Sequence, residues 1–296
     1  MPRTVVVGVD GSPESLSAAN WAAREADLRA AALHVVYAGD QPPYAYVPFA
    51  GESVPPPGAD RSAPMLREVE ATLTHRHPGL RITTGRVEGQ PATALQAAAE
   101  EADLLVLGSR RLGGVTGLLL GSVALAVVAR SRRPVVLVRA GEHAEDEHLP
   151  DAFGGTTMAT PFRNVLLGLD LRDPHDAVIE FAFEAAHRRA APLRVVYGWG
   201  ASGSDDGDTL DAGLRGESAG LAEVLTPWRD KFPDVEVTGQ VVVGAPGSHL
   251  ADASRDAALV VVGRRSRPAS VGPRIGPVTH AVLQHAAAPV AVVPHG

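Results

Sequence analysis

The stretch Val5-Val6-Val7-Gly8-Val9-Asp10 decides the fold, because the chain repeats it as Val165-Leu166-Leu167-Gly168-Leu169-Asp170. Four further blocks return in unchanged order. Leu33-His34-Val35-Val36-Tyr37 comes back as Leu193-Arg194-Val195-Val196-Tyr197, and Val87-Glu88-Gly89-Gln90-Pro91 as Val242-Val243-Gly244-Ala245-Pro246. Leu104-Leu105-Val106-Leu107-Gly108 comes back as Leu259-Val260-Val261-Val262-Gly263, and Pro134-Val135-Val136-Leu137-Val138 as Pro289-Val290-Ala291-Val292-Val293. The offset is 160 for the first two blocks (170 − 10, 193 − 33) and 155 for the rest (244 − 89, 263 − 108, 289 − 134). Five blocks held in order mean an internal duplication.

Within each copy, short β-branched runs alternate with Ala-rich stretches of helical character, which predicts a parallel sheet covered by helices. The runs are nearly all apolar, as strands buried on both faces must be. Strands are expected near 4–10, 33–38, 81–88, 103–108 and 134–139, and again near 163–170, 193–198, 235–243, 258–263 and 289–294. Ser12 and Pro13 suit the cap and first turn of the first helix. Others are expected over 61–77, 91–102 and from Gly121-Ser122 onward. The right-handed crossover rule then gives two tandem doubly wound five-stranded sheets, each of order 3-2-1-4-5.

The expected domains are 1–140 and 161–296, joined by a linker over 141–160. That stretch carries Glu142, Glu145, Asp146, Glu147 and Gly154-Gly155 without periodicity, and reads as a solvated tether. His143 and His148 beside its carboxylates belong to the same reading. The apolar fifth strands fall at sheet edges, which invite pairing. The two copies are therefore expected to pack through them as an intramolecular pseudo-dimer about a near-twofold axis, and the same edge also allows a homodimer.

Composition narrows the function classes. With 296 residues, 45% apolar and 21% charged, the chain can bury two cores. A net charge of −7 argues against a nucleic-acid binder. There is no cysteine, which removes disulfides, thiolate nucleophiles and Cys-ligated zinc and suits a reducing compartment. The run from Val115 to Ala129 is too short to span a bilayer. A cytoplasmic protein without a membrane partner is expected.

In a sheet of this order the ligand crevice opens outside the carboxyl ends of strands 1 and 4. Gly8-Val9-Asp10 stands there in copy one, and Asp170 at the repeated position in copy two. A carboxylate so placed accepts hydrogen bonds from ribose hydroxyls or an adenine amine; capping the following helix is the alternative. Leu107-Gly108 leads into the glycine-rich stretch 109–117, and Gly121-Ser122 then opens a helix. Such an arrangement offers N–H groups, a hydroxyl and a favourable dipole to phosphates. It is not a Walker loop, since no Gly-Lys-Ser/Thr follows.

Val7-Gly8-Val9-Asp10-Gly11-Ser12, with Gly108, Gly121 and Ser122, resembles the universal stress protein family. That family's nucleotide pattern is a glycine, two residues, a glycine, nine residues, then Gly-Ser or Gly-Thr. The resemblance covers both copies and implies ATP as ligand, with or without magnesium. It carries adenine and ribose contacts onto Gly8, Val9, Asp10 and the backbone of Val35. Phosphate contacts fall on Gly108, Gly121, Ser122 and Val123, with Leu107 adjoining. Copy two would supply Gly168, Leu169, Asp170, Val195, Val262, Gly263, Gly276 and Val278.

Three positions depart from the pattern. Arg111 and Ser266 stand where the middle glycine belongs, and Pro277 stands where the hydroxyl belongs. Arg111 either meets phosphate with its guanidinium or sits in solvent. Pro277 has neither hydroxyl nor N–H, and Arg264, Arg265, Arg267 and Arg274 are nearby in sequence to compensate. The segment from Gly39 to Ser62, rich in proline, reads as a disordered loop that orders in part on binding.

No acid–base pair, metal cluster or nucleophile triad occurs in both copies. His34, His280 and His285 read as core or surface residues. The expected function is thus an ATP-binding stress-response regulator with an unidentified protein partner, at most a slow ATPase. The alternatives are a nucleotide-independent scaffold and an enzyme of a related doubly wound class.

Overall fold

The computed structural model describes residues 3–39, 62–109, 121–200, 207–266 and 275–296. The first repeat runs β1 (Thr4–Gly8), α1 (Pro13–Leu28), β2 (Ala32–Ala38), α2 (Ser62–Arg76), β3 (Ile82–Val87), α3 (Pro91–Glu100), β4 (Leu104–Ser109), α4 (Ser122–Arg130) and β5 (Val135–Arg139). The second runs β6 (Asn164–Leu169), α5 (Asp176–Arg189), β7 (Leu193–Trp199), α6 (Gly207–Lys231), β8 (Val237–Val243), α7 (Pro246–Ala253), β9 (Ala257–Arg265), α8 (Pro277–His285) and β10 (Val290–His295).

Each repeat contributes five parallel strands in the order expected, and the two sets join into one sheet, β3-β2-β1-β4-β5-β10-β9-β6-β7-β8. The join is antiparallel, with Val290 opposite Leu137, Ala291 opposite Val136 and Val292 opposite Val135. Val136 and Ala291 are equivalent positions of the repeat (291 − 136 = 155), so the register maps onto itself when the copies are exchanged. The near-twofold axis passes between them. Alternation along β5 sends Val136 and Val138 to one face and Val135 and Leu137 to the other. Two continuous cores result, each spanning both repeats.

One core lies under α1, α2, α5 and α6, where Ala18, Ala19, Ala22, Ala23 and Ala26 let α1 sit close on the strands. The other lies under α3, α4, α7 and α8. The outer edges, β3 and β8, are only partly buried and carry Thr83, Arg86, Thr238 and Gln240.

Residues 141–160 are not a solvated tether. A single 3-10 turn, Ala144–Glu147, is followed by a hairpin with bridges His148 to Phe162 and Pro150 to Thr156. Glu147 and His148 are buried. Arg24 of α1 donates to Glu142 and Glu147, both at 2.6 Å, and Arg163 N donates to the Glu147 carbonyl at 2.8 Å. Two of the four acids that read as solvation, Glu142 and Glu147, are thus hydrogen-bond partners of Arg24 on α1, while Glu145 and Asp146 stay exposed. His148 Nδ1 lies 2.5 Å from the Thr160 carbonyl, its ring against Phe162. Among the described residues no helix is long and apolar enough to cross a membrane.

Candidate functional site

At the carboxyl end of β1 the chain leaves the sheet after Gly8, two residues earlier than the apolar run suggests. Val9 N still donates to the Val36 carbonyl at 2.9 Å, and Val9 is buried. Asp10 then turns outward and is exposed. Its Oδ1 accepts from Ser12 N at 3.0 Å and from the Ser12 hydroxyl at 2.5 Å. Ser12, not Asp10, caps α1, its Oγ accepting from Ser15 N at 3.3 Å. Asp170 repeats the arrangement, exposed, with Oδ1 accepting from Arg172 N at 3.0 Å.

Across the switch point, Gly8 pairs with Leu107 and Gly168 with Val262. A methyl group at Gly8 would lie 2.7 Å from Leu107 and 2.9 Å from Leu95; at Gly168 it would lie 2.6 Å from Leu250. At Gly108 it would lie 2.6 to 2.7 Å from the backbone of Glu14 and Ser15, which no side-chain adjustment relieves. These glycines let α1 and the α3 and α7 leucines press onto the strand ends, a packing role that is complete before any ligand arrives. Gly263 differs: there the neighbour is the His295 ring, at 2.8 Å.

Gly121 and Gly276 meet nothing within 4 Å. Each is the N-cap of its helix, and neither offers a side-chain cap to the first turn. The first helical bond in α4 is Leu125 N to the Gly121 carbonyl at 3.0 Å, so the N–H groups of Ser122, Val123 and Ala124 have no partner within the helix. Ser122 is exposed; in α8 its place is taken by Pro277, also exposed, at the first helical position. An anion is favoured at both ends by the helix dipole.

The aliphatic members of the expected set lie in the cores. Val35 is fully buried between Val7 and Thr84, three residues short of the end of β2, and Val195 sits likewise between Leu167 and Gly239. Leu107, Leu169 and Val262 are buried, and Val123 and Val278 pack against the second core. Of the expected set, the described residues that bring exposed polar side chains to the crevices are Asp10, Ser122 and Asp170. Arg111 lies outside the described residues, as do Arg267, Arg274 and the stretch 40–61.

The second crevice has features that sequence reading passed over. α5 begins at Asp176, capped by His175, three residues later than the equivalent of α1. Asp173 pairs instead with Arg265 at 2.5 Å. The His175 and His295 rings lie 4.9 Å apart, and burial, then His175, holds His295 below the usual histidine range. Burial, then Glu217, pushes the Tyr197 phenol up, with Arg172 opposing. The recurrence of Tyr37 as Tyr197 in the repeat was the available signal.

Comparison with known proteins follows the same two-part division. The model of the universal stress protein family matches residues 1–139 and 161–294. The chain belongs to the universal stress protein family. Universal stress protein Rv2005c of Mycobacterium tuberculosis is 33% identical over 296 residues, covering 97% of this chain and 96% of that relative. A universal stress protein of Mycolicibacterium smegmatis is 31% identical over 303 residues, covering 98% and 96%. The crystal structure of a universal stress protein from Archaeoglobus fulgidus shares the fold at a TM-score of 0.61 and 16% identity, covering 99% of this chain and 98% of that one.

Proposed function

We propose that this universal stress protein is an adenine-nucleotide-binding regulator, taking ATP at the switch-point crevice of the first repeat. In this reading 1–140 and 161–296 are two nucleotide-binding domains, working in the cytoplasm, and the bound state biases shape or partner choice. The observation that supports it is the repeated, outward-turned carboxylate. Asp10 and Asp170 each leave a buried strand, stand exposed, and have one oxygen fixed by the N–H two residues on. An exposed carboxylate held in one orientation is suited to accept from ribose hydroxyls or an adenine amine.

The second support is that Gly121, the N-cap of α4, makes no side-chain cap, so that among the described residues the first-turn N–H groups suit phosphate oxygens. Gly121 keeps the approach open and Ser122 adds a hydroxyl. Magnesium would arrive on the triphosphate and offset its charge. The chain's own residues would bind and orient the nucleotide; a turnover role is not part of the proposal.

A nucleotide-independent scaffold is favoured by one observation: Gly8 and Gly108 are already explained by packing. Calorimetric titration of ATP into the intact chain separates the two, with mass spectrometry of small molecules released on denaturation. Asp10→Ala is expected to remain folded and to weaken binding about ten- to hundredfold, the range for hydrogen bonds to a charged group. No heat of binding and no released nucleotide would favour the scaffold.

A further inference from the structure

The connecting hairpin presents one large apolar side chain to solvent without cover: Phe153 is 98% exposed, flanked by the exposed Leu149 and Met158. The turn that carries it is rigidly built. Asp151 Oδ1 accepts from Phe153 N at 2.8 Å and Gly155 N at 2.9 Å, Asp151 N donates to the Gly155 carbonyl at 2.7 Å, and Gly154 N donates to the Asp151 carbonyl at 3.0 Å. Exposed Asp151 belongs to the tip, exposed Glu145 and Asp146 lie on the 3-10 turn that precedes the hairpin, and no Lys or Arg occurs between Gly141 and Phe162.

At the opposite end of β5 lies a recess of about 150 Å³, lined by Gln96, Ala99, Glu100, Arg130, Arg132 and Arg133, with Ser131. The duplication supplies a control for these arginines. The equivalent turn after α8 has His285, Ala287 and Ala288 in their places. It nevertheless takes the same shape, Ala286 at φ −59 and ψ 141 against −57 and 140 for Ser131. The turn thus folds without arginine: Arg133 donates to the Glu100 carbonyl at 3.1 Å and Arg130 closes the last turn of α4, but the second repeat makes the same turn with neither, and the exposed cationic set stands out in a chain of net charge −7.

We propose that the Phe153 tip of one copy seats in the arginine recess of a second copy of this chain. Guanidinium planes stack on aromatic faces and their stems cover apolar surface, so three arginines and Ala99 make a fitting socket for a phenyl ring. The acidic rim of the hairpin meets a basic rim, which fixes register and excludes hairpin-to-hairpin pairing. The contact is between copies because β5, about 17 Å long for its five residues, separates hairpin and recess on any one chain. Such a contact joins unlike surfaces: it closes as a reciprocal pair or propagates head to tail.

Sedimentation equilibrium of the full chain across concentration and salt tests this. Wild type is expected to self-associate, less so as salt rises. Phe153→Ala, and separately Arg130→His with Arg132→Ala, should each weaken association about tenfold or more, as loss of a central anchor does. The second variant carries the residues the second repeat uses at the same turn, so its fold is safeguarded; circular dichroism checks both. An equimolar mixture of the two variants should regain a one-to-one complex, since one supplies the recess and the other the tip. A wild type that stays monomeric throughout, an association constant unchanged in either variant, or a mixture that regains nothing overturns the proposal.

Discussion

The Glu25 carboxylate of the first repeat accepts from the Arg189 guanidinium of the second at 2.6 Å, with both side chains 1% exposed. Arg189 is the counterpart of Arg29 (189 − 29 = 160), which binds the same carboxylate at 2.5 Å. The near-twofold axis thus brings two equivalent arginines onto one acid, whose own counterpart is Ala185. Burial raises the Glu25 carboxyl, but Arg189 and then Arg29 overcome this and hold it below the usual range. Without this acid two buried cations would face each other, with Glu147 at 3.8 Å from Arg189 as the remaining counter-charge.

Glu25→Gln should therefore destabilise the protein by about 3–5 kcal/mol, the cost of stranding a buried charge. Replacing all three groups together, Glu25→Leu with Arg29→Met and Arg189→Met, should cost far less, because no uncompensated charge remains. Urea unfolding of the two variants checks both. A single substitution costing under about 1 kcal/mol would place the pair with surface salt bridges.

Stability should fall as pH rises from about 4.5 to about 8. Burial, with Glu147 beside it and Arg24 opposing, pushes the Glu142 carboxyl up to about 8 from 4.5. Its Oε2 is buried without a hydrogen-bond partner among the described groups. A raised value in the folded state means the folded protein holds the proton more tightly. That contribution is full below about 4.5 and is lost as pH rises through about 8. Unfolding free energies between about pH 5 and pH 8 should decline in wild type and decline less in Glu142→Gln, which cannot ionise; parallel curves would refute this.

Ala190 ends α5 in the left-handed region at φ 46, and Ala30, its counterpart after α1, does the same at φ 48. A Cβ in that region costs roughly 1–2 kcal/mol, relieved by glycine at the expense of some unfolded-state entropy. Ala190→Gly should raise stability by about 0.5–1 kcal/mol, read as a rise in Tm of a few degrees. A fall in Tm would mean that the methyl group packs better than the backbone geometry implies.

The two crevices should differ in their grip on phosphate. Ser122 brings an N–H and a hydroxyl to the start of α4, and Pro277 brings neither to α8. Titrating ATP into Asp170→Ala should report the tighter site, and into Asp10→Ala the weaker. Adding Pro277→Ser to the latter should recover about 1.5–3 kcal/mol of binding for each charge-assisted hydrogen bond regained. Equal affinities, unmoved by Pro277→Ser, would mean that other groups replace the missing donors.

The strand order and the seam were legible because a buried strand has to be an apolar run, and each run occurs twice. The connecting segment was not, because Glu142 and Glu147 look alike whether they face water or Arg24, which lies 118 and 123 positions away. Asp10 and Ser122 could be read from their places beside a strand end and a helix start. Gly8 and Gly108 read as nucleotide contacts, and sequence does not show what packs on them; here it is Leu107 and Leu95 at Gly8 and the backbone of α1 at Gly108. His175 and His295 escaped notice because the late start of α5, which makes His175 its cap, and the His295 ring against Gly263 have no counterpart in the first repeat.

The seam also dictates an order of events during synthesis. Val136 pairs with Ala291, 155 positions further on. At ribosomal speeds of about 5–20 residues per second, the first repeat waits on the order of ten seconds before its partner strand emerges. Throughout that interval a nascent chain carries a fully formed sheet ending in bare Val135-Val136-Leu137-Val138. Neighbouring polysomal chains offer the same strand in the same state, so the hazard is greatest where translation is densest. A pause after the first repeat lengthens the exposure, and a chaperone that shelters one strand edge for those seconds is the help this architecture calls for.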